Sequence, residues 1–135
     1  MRFDRGLVVG LFLVASVAGT AQRANWREQF DAKEYWIPAR DGVKLYTVVY
    51  VPKGKPGPFP ILMERTPYGA GSPERRPSGA GGKLGESGYI FAFQDVRGKT
   101  KSEGEFVNVR PTLKPGQKGI DESTDTWDTV EFLVK

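Results

Sequence analysis

The sequence predicts an α/β fold built on an incomplete mixed sheet that opens with an antiparallel hairpin. Strand-like segments at Glu34–Ala39 and Val43–Val51 flank a turn at Arg40–Gly42, and the second segment alternates in the manner of a strand. Later strands follow at intervals that need crossover connections, which place helices on the faces of a sheet. The 17 glycines and 10 prolines among 135 residues imply many turns and argue against a helical bundle.

The elements after the hairpin follow from apolar runs and the residues that end them. Ile61–Thr66 is a mostly apolar run of the kind found in buried strands, and Tyr89–Asp95 is the clearest strand of the chain. Lys83–Ser87 is predicted as a short helix between them, and Gly104–Val107 as a short extended segment. These strands therefore continue the sheet beyond the hairpin.

The last segment, Asp121–Lys135, is predicted to be a helix with acidic residues near its start and an apolar face behind them. The apolar face comprises Trp127, Val130, Leu133 and Val134. The acidic residues are Asp121, Glu122, Asp125 and Asp128, which lack the ligand alternation and central glycine of a calcium loop, so helix capping is the simpler explanation. We expect strands beyond Lys135 to cover the apolar face.

Residues 1–21 are predicted to be an export signal. Two arginines precede the apolar run Gly6–Val17, and the small residues of Ala18–Ala21 suit cleavage after Ala21. The run is short for a membrane span, although an uncleaved anchor or a buried first helix are alternatives. We expect a secreted or periplasmic chain with no membrane association after cleavage, in which a polar lead-in over residues 22–33 precedes the sheet.

The composition is that of a globular protein, since 39% of residues are hydrophobic, 12% aromatic and 27% charged. The formal net charge is +4, and the basic residues are scattered rather than gathered into a stripe with interleaved aromatic residues. This pattern argues against a nucleic-acid partner. The absence of cysteine neither supports nor opposes export, because a large core needs no disulfide bonds.

The segment Arg65–Gly69 follows a predicted buried strand, at the place where open α/β sheets hold ligands. A phenol there, from Tyr68, can donate to a developing alkoxide, and such a donor stabilises a transition state by roughly 3 kcal/mol. The alternative is a surface turn in which Pro67 sets the backbone angle, and spacing alone favours that alternative.

The segment Asp95–Gly98 offers a second choice between catalysis and structure. Asp95 as a base and Arg97 as a substrate clamp is the catalytic hypothesis. In the structural hypothesis, Asp95 accepts backbone N–H groups in the turn after its strand, and Arg97 pairs with a nearby carboxylate. We favour the structural hypothesis.

Four sequence blocks occur in a specific order, and together they carry a resemblance to a known family. They are Asp41–Thr47, Arg65–Tyr68, Phe93–Gly98 with Ser102–Phe106, and Thr124–Val130. The series resembles the X-Pro dipeptidyl-peptidase-like hydrolases (peptidase S15), the group that holds cocaine esterase, over Glu34–Lys135. The loop Arg110–Gly119 and the acidic segment after it look most like the branch of the α-amino acid ester hydrolases and glutaryl cephalosporin acylase.

The resemblance implies that residues 34–135 are the N-terminal part of an α/β-hydrolase catalytic domain, followed in the full protein by a helical cap and a C-terminal jelly roll. It implies a secreted serine hydrolase that acts on esters or amides of (α-amino) acids through an acyl-enzyme. Tyr68 matches the family's oxyanion-hole tyrosine, which reverses the preference for a simple surface turn. Small-molecule esters, amides or short peptides are the implied substrates. No cofactor or metal is implied, and a homo-oligomer of the full-length protein is left open.

The catalytic triad of such an enzyme is missing from these 135 residues. The sequence contains no histidine and no Gly-x-Ser-x-Gly segment, so neither the proton acceptor nor the nucleophile elbow is present. We therefore expect an N-terminal fragment, truncated before the elbow and inactive alone. The alternatives are a fragment of an X-Pro dipeptidyl-peptidase, or an exported binding module without catalysis.

Overall fold

The computed structural model describes residues 25–75, 77 and 83–135, and its strands form one mixed sheet. In chain order the elements are α1 (Trp26–Gln29), β1 (Phe30–Pro38), β2 (Lys44–Pro52), β3 (Ile61–Thr66), α2 (Lys83–Glu86), β4 (Ile90–Asp95) and α3 (Glu122–Val134). The strand order is β1-β2-β4-β3, in which β3 and β4 are parallel and the other neighbouring pairs are antiparallel. The predicted α/β class and antiparallel first hairpin are confirmed. The predicted export signal lies outside the described residues.

The first hairpin is longer than predicted because β1 begins at Phe30 rather than at Glu34. The predicted lead-in over residues 22–33 therefore ends four residues earlier than expected, because residues 30–33 belong to the strand. Phe30 pairs with Pro52 in the register, and its buried ring packs edge-on against that of Phe91 at 5.7 Å between centroids. This inward anchor alternates with the polar, outward-facing Asp31 and Lys33, so the segment reads as polar in the sequence although it is a strand.

One face of the sheet carries an aromatic core under α1 and the chain that follows β3. The buried members of this core are Phe30, Tyr46, Val48, Tyr50, Ala70, Phe91 and Phe93. The Tyr50 ring packs edge-on against Trp26 and Phe93, and its single O–H lies within hydrogen-bond distance of the main-chain oxygens of Ser72 (2.9 Å) and Arg75 (3.0 Å). Burial raises the pKa of the Tyr50 phenol to about 12. The core therefore also holds down the chain that leaves β3.

The opposite face of the sheet is joined to α3 by a buried polar network. The Gln94 side-chain amide donates to the hydroxyls of Thr47 and Thr129, at 2.9 Å in each case. The Gln94 side-chain oxygen accepts from Nε of Arg65 at 2.8 Å. Gln94 thus links β2, β3 and α3 through one fully buried side chain.

The buried side of α3 is polar, which differs from the apolar face predicted for it. Asp125 and Thr129 are the buried residues of this helix, whereas the Trp127 side chain is 63% exposed. The helix contacts the sheet through hydrogen bonds and ion pairs. Its apolar side chains lie mostly on the side that is exposed to solvent in the described chain. Within the described residues, most of the Trp127 ring is therefore uncovered.

Two further expectations need correction. β3 is not buried on both faces, because Leu62 and Glu64 are exposed while Ile61 and Met63 are partly covered. The strand lies at the edge of the described sheet, where one side has no neighbour. Gly104–Val107 forms no strand. Within the described ranges, no helix is long and apolar enough to span a bilayer.

Candidate active site

Tyr68 lies two residues beyond the end of β3, at the edge where the parallel strands β3 and β4 finish together. Thr66 and Asp95, the last residues of those strands, are paired in the register. The Tyr68 side chain is 94% exposed and projects from the described structure. The carboxyl ends of parallel strands are where open α/β sheets place their ligand sites. The position of Tyr68 therefore suits a residue that acts on a molecule bound at this edge.

The backbone of Tyr68 is fixed on its N-terminal side by Thr66. The Thr66 hydroxyl accepts the Tyr68 N–H at 3.1 Å, and the Thr66 carbonyl accepts the Val96 N–H at 3.1 Å. Gly69 then turns the chain with a φ of 105°, a conformation that an L side chain rarely adopts. The main chain of Tyr68 is therefore held in place, whereas its side chain is exposed.

The C-terminal side of the same turn is fixed by Asp95, whose side chain is fully buried at the end of β4. One carboxylate oxygen accepts the Ala70 N–H in a short hydrogen bond, and the other accepts the Lys101 N–H at 3.1 Å. The prediction that Asp95 accepts backbone N–H groups is confirmed. No local pattern predicts that one of these N–H groups belongs to the Tyr68 turn, because Ala70 and Asp95 lie 25 positions apart.

Arg97 is occupied by two carboxylates and is not exposed for substrate binding. Its Nε and Nη2 donate to Asp125 at 3.0 and 2.6 Å, and its Nη1 and Nη2 donate to Asp41 at 2.8 and 3.1 Å. The hydrogen bonds from Arg97 lower the pKa of the Asp41 carboxyl. The predicted pairing of Arg97 with a nearby carboxylate is confirmed, and the partners are now identified.

Helix capping accounts for only one of the four acidic residues at the start of α3. Asp121 is the N-cap and shares a capping box with Thr124, so the backbone N–H groups of Leu113 and Thr124 lower the pKa of its carboxyl. Glu122 and Asp125 lie in the first turn of α3, where negative charge is favoured, and each also pairs with an arginine. The expectation of capping is wrong for Asp128, which lies beyond the first turn and pairs with an arginine. Asp128 accepts from Arg40, including an Nη2 bond of 2.9 Å.

A polar cluster that the sequence did not reveal lies beside the Tyr68 turn. The Tyr46 hydroxyl donates to Glu34 at 2.8 Å and accepts from Nζ of Lys101 at 3.1 Å. It also lies 3.3 Å from the Gly71 carbonyl, just beyond the turn. The turn also borders a cleft of about 230 Å³, whose walls include Thr66, Ala70 and Phe93. The residues of this cluster are distant in sequence and meet only in the folded chain, so no local sequence pattern predicts the cluster.

The arrangement can supply one hydrogen-bond donor to a developing negative charge, but no imidazole to take up a proton. The phenol of Tyr68 is the exposed donor at the strand ends, and the sequence contains no histidine. A donor held in place before the reaction stabilises charge without reorganisation at the moment of reaction. The described residues therefore place one exposed phenol donor at the edge where β3 and β4 end.

The fold and this edge of the sheet define a hydrolase-type α/β framework, and the sequence comparison identifies the family. Residues 41–135 match the family described as X-Pro dipeptidyl-peptidase (S15 family). The match covers more than half of the chain, so the chain belongs to this family.

Similar proteins include esterases and a peptidase. The chain is 31% identical over 106 residues to cocaine esterase from Rhodococcus sp. (strain MB1 Bresler), a match that covers 77% of this chain and 17% of that protein. It is similar to a solved α-amino acid ester hydrolase labelled with selenomethionine, at 38% identity and a TM-score of 0.67, covering 90% of this chain and 22% of the other.

An aminopeptidase from a marine sediment archaeon (Thaumarchaeota archaeon) is also similar in structure. The identity is 37% and the TM-score 0.65, and the match covers 78% of this chain and 19% of that protein. The chain therefore spans about a fifth of the length of the relatives it matches, whose shares are 17%, 19% and 22%. The expected resemblance to peptidase S15 enzymes, cocaine esterase and the α-amino acid ester hydrolases is confirmed.

Proposed function

We propose that this chain forms the N-terminal part of the catalytic domain of a secreted or periplasmic serine hydrolase that cleaves esters or amides of (α-amino) acids. Membership of the S15 family and the likeness to an amino acid ester hydrolase support the reaction class. The observation that carries the proposal is the exposed phenol of Tyr68 on a turn held from both sides at the end of β3. The location rests on the export signal that the sequence predicts for residues 1–21.

The proposed role of Tyr68 is oxyanion stabilisation. A serine from a segment outside these residues attacks the carbonyl carbon, and the carbonyl oxygen gains negative charge as the tetrahedral intermediate forms. The Tyr68 O–H donates to that oxygen. The serine gives its proton to a base that also lies outside these residues, and collapse of the intermediate returns that proton to the departing alcohol or amine and leaves an acyl-serine. Water then hydrolyses the acyl-serine by the same sequence of steps. Removal of one such donor lowers kcat by a factor of about 100 to 1,000.

The test is Tyr68→Phe in the longest reading frame that contains residues 1–135. We expect kcat for an amino acid ester to fall on the order of 100-fold or more, because the donor acts mainly in the transition state. Tyr35→Phe is the matched control, since Tyr35 lies on β1 with its ring against Phe132 of α3. Near-wild-type turnover of Tyr68→Phe would remove Tyr68 from the mechanism.

We further propose that residues 1–135 alone are inactive, because they contain no histidine to act as the base of a triad. Assay of this chain beside the longer protein, on the same ester and at the same concentration, tests the point. Ester hydrolysis by the short chain at a rate comparable with that of the longer protein would contradict it.

The second candidate is an X-Pro dipeptidyl-peptidase. The family description and the structural likeness to an archaeal aminopeptidase favour it. It uses the same acyl-transfer chemistry and the same role for Tyr68, so only the substrate separates the two candidates. A ratio of kcat/KM that favours Xaa-Pro anilides over amino acid esters would select the peptidase.

A further inference from the structure

The Asp95 carboxylate joins the end of β4 to the turn that carries Tyr68. Its two oxygens accept one N–H from each of two chain segments, Ala70 on the Tyr68 turn and Lys101 on the loop after β4. We propose that Asp95 is a positioning residue, which sets the location of the Tyr68 phenol through the Ala70 N–H. This inference rests on the proposed role of Tyr68 in oxyanion stabilisation.

Among the described residues, the phenol is positioned through its main chain rather than by packing of its ring. The Tyr68 side chain is 94% exposed, so packing does not hold it in place. Its main chain is fixed by Thr66 on one side and by the Ala70–Asp95 bond on the other. Gly69, with its φ of 105°, lies between the two fixed points and adds no restraint of its own. Ala70 is also buried in the aromatic core, and the Ser72 carbonyl is bonded to Tyr50, so loss of the Asp95 bond shifts the turn without releasing the chain beyond it.

A carboxylate suits this place better than an amide of the same size. Both oxygens of Asp95 are acceptors, and both face main-chain N–H groups. An asparagine offers one oxygen and one NH₂, so one of the two N–H groups would face a donor. Asp95 is itself held firmly, since its carbonyl accepts from the Ser102 hydroxyl at 2.7 Å, and that hydroxyl accepts the Tyr46 N–H at 2.8 Å. The anchor is therefore rigid.

The expected consequence is a loss of turnover without an equal loss of substrate binding. Displacement of a catalytic group by about 1 Å costs on the order of 100-fold in rate. Asp95→Asn removes part of the anchor, so we expect kcat to fall about tenfold or more while KM changes by less than about twofold, the pattern of an interaction made only in the transition state.

The decisive experiment is a double-mutant cycle of Asp95→Asn and Tyr68→Phe in the longest reading frame that contains this chain. If Asp95 acts through the phenol, Asp95→Asn lowers kcat strongly in the wild-type background and hardly at all in the Tyr68→Phe background. Additive losses would overturn the inference, since Asp95 would then act on the reaction by a route other than Tyr68. Unchanged kcat in Asp95→Asn alone would overturn it as well.

Two controls keep the test interpretable. Thr129→Val disturbs the buried network on the opposite face of the sheet, and we expect it to lower Tm without the fall in kcat. If Asp95→Asn does not fold, a second variant replaces the peptide bond before residue 70 with an ester, so that an oxygen takes the place of the Ala70 N–H. This change removes the same hydrogen bond and leaves the Asp95 carboxylate in place. Unchanged kcat in that ester variant overturns the inference.

The failure of the inference differs from that of the proposed function. If Tyr68→Phe has wild-type turnover, the oxyanion role falls and the positioning role falls with it. If Tyr68→Phe is impaired but the cycle is additive, only the positioning role falls. Impaired Tyr68→Phe with a non-additive cycle supports both.

Discussion

Arg97 and Asp125 form an ion pair that is buried on both sides. Nη2 of Arg97 lies 2.6 Å from Oδ1 of Asp125, and the two side chains are 3% and 2% exposed. The pair joins the turn after β4 to the first turns of α3, and Asp41 extends it to the hairpin turn with a bond of 2.8 Å to Nη1 of Arg97. Three segments that are distant in sequence meet at one guanidinium.

The first prediction concerns the loss of the buried partner. Asp125→Ala leaves the guanidinium of Arg97 buried with half of its hydrogen bonds, so the free energy of unfolding should fall by about 3 kcal/mol or more. Asp41→Ala is the matched control, because Asp41 bonds to the same guanidinium but is 32% exposed, and water replaces it at a smaller cost. Urea unfolding measures both variants. Equal losses would show that burial does not decide the strength of these bonds.

The second prediction concerns acid. The pKa of Asp121 is lowered below the ordinary value of 3.8, chiefly by the N–H groups of Leu113 and Thr124. A carboxyl with a lowered folded pKa stabilises the fold above its unfolded pKa, and this stabilisation is lost as pH falls through the folded pKa. Asp128 and Asp41 act in the same direction, through Arg40 and Arg97 respectively. Tm should therefore fall as the pH is taken from 5 to about 2.

Asp121→Asn separates the charge of Asp121 from its capping geometry. Asparagine is a good N-cap but does not titrate, so the variant should be less stable near neutral pH and should lose less stability on acidification. Thermal unfolding at a series of pH values measures the slope for both proteins. Parallel curves would show that Asp121 does not contribute to the acid sensitivity.

The third prediction concerns Gly98, in the turn after β4. A Cβ at this position would lie 2.1 Å from the Phe106 nitrogen and 2.5 Å from the Glu105 carbonyl carbon, and the φ angle is 69°. These neighbours are backbone atoms, which cannot move aside as a side chain does. Gly98→Ala should therefore abolish or severely reduce stability. Gly42→Ala is the matched control, since its φ is 85° but a Cβ meets nothing within 4 Å.

We expect Gly42→Ala to cost only about 1 to 2 kcal/mol, the cost of the left-handed backbone alone. Thermal unfolding of the two variants gives the comparison. A Gly98→Ala protein as stable as Gly42→Ala would mean that the loop at Glu105 and Phe106 does not approach Gly98 as closely as the structure has it.

The strands and the last helix were predictable from the sequence, but the contacts that hold them together were not. The alternation of Val43–Val51 and the apolar run before Asp95 each define a strand locally. The start of β1 was missed because Asp31 and Lys33 hide the inward-facing Phe30. Local patterns therefore fix the type of an element better than its boundary.

In the candidate site, too, the local features were predictable from the sequence and the long-range contacts were not. Tyr68 was placed at a strand end by a local signal, the run of Ile61–Thr66 followed by a proline. The hydrogen bond that links the Tyr68 turn to Asp95 joins residues 25 positions apart, Ala70 and Asp95, and it depends on the parallel pairing of β3 and β4. The pairing of Arg97 with Asp125 depends on how α3 crosses the sheet. No periodicity encodes such contacts, so only the three-dimensional structure reveals them.

The fourth prediction concerns Gln94, which holds α3 to the sheet. Its amide donates to the buried Thr47 and Thr129, and its oxygen accepts from the partly buried Arg65. Gln94→Leu removes these bonds and leaves Nε of Arg65 without its partner, so the free energy of unfolding should fall by about 2 to 3 kcal/mol. Thr47→Val is the control: it removes one bond of the network and keeps the rest, so we expect about 1 kcal/mol. Urea unfolding gives both values, and a Gln94→Leu loss no greater than that of Thr47→Val would show that packing rather than this network holds α3 in place.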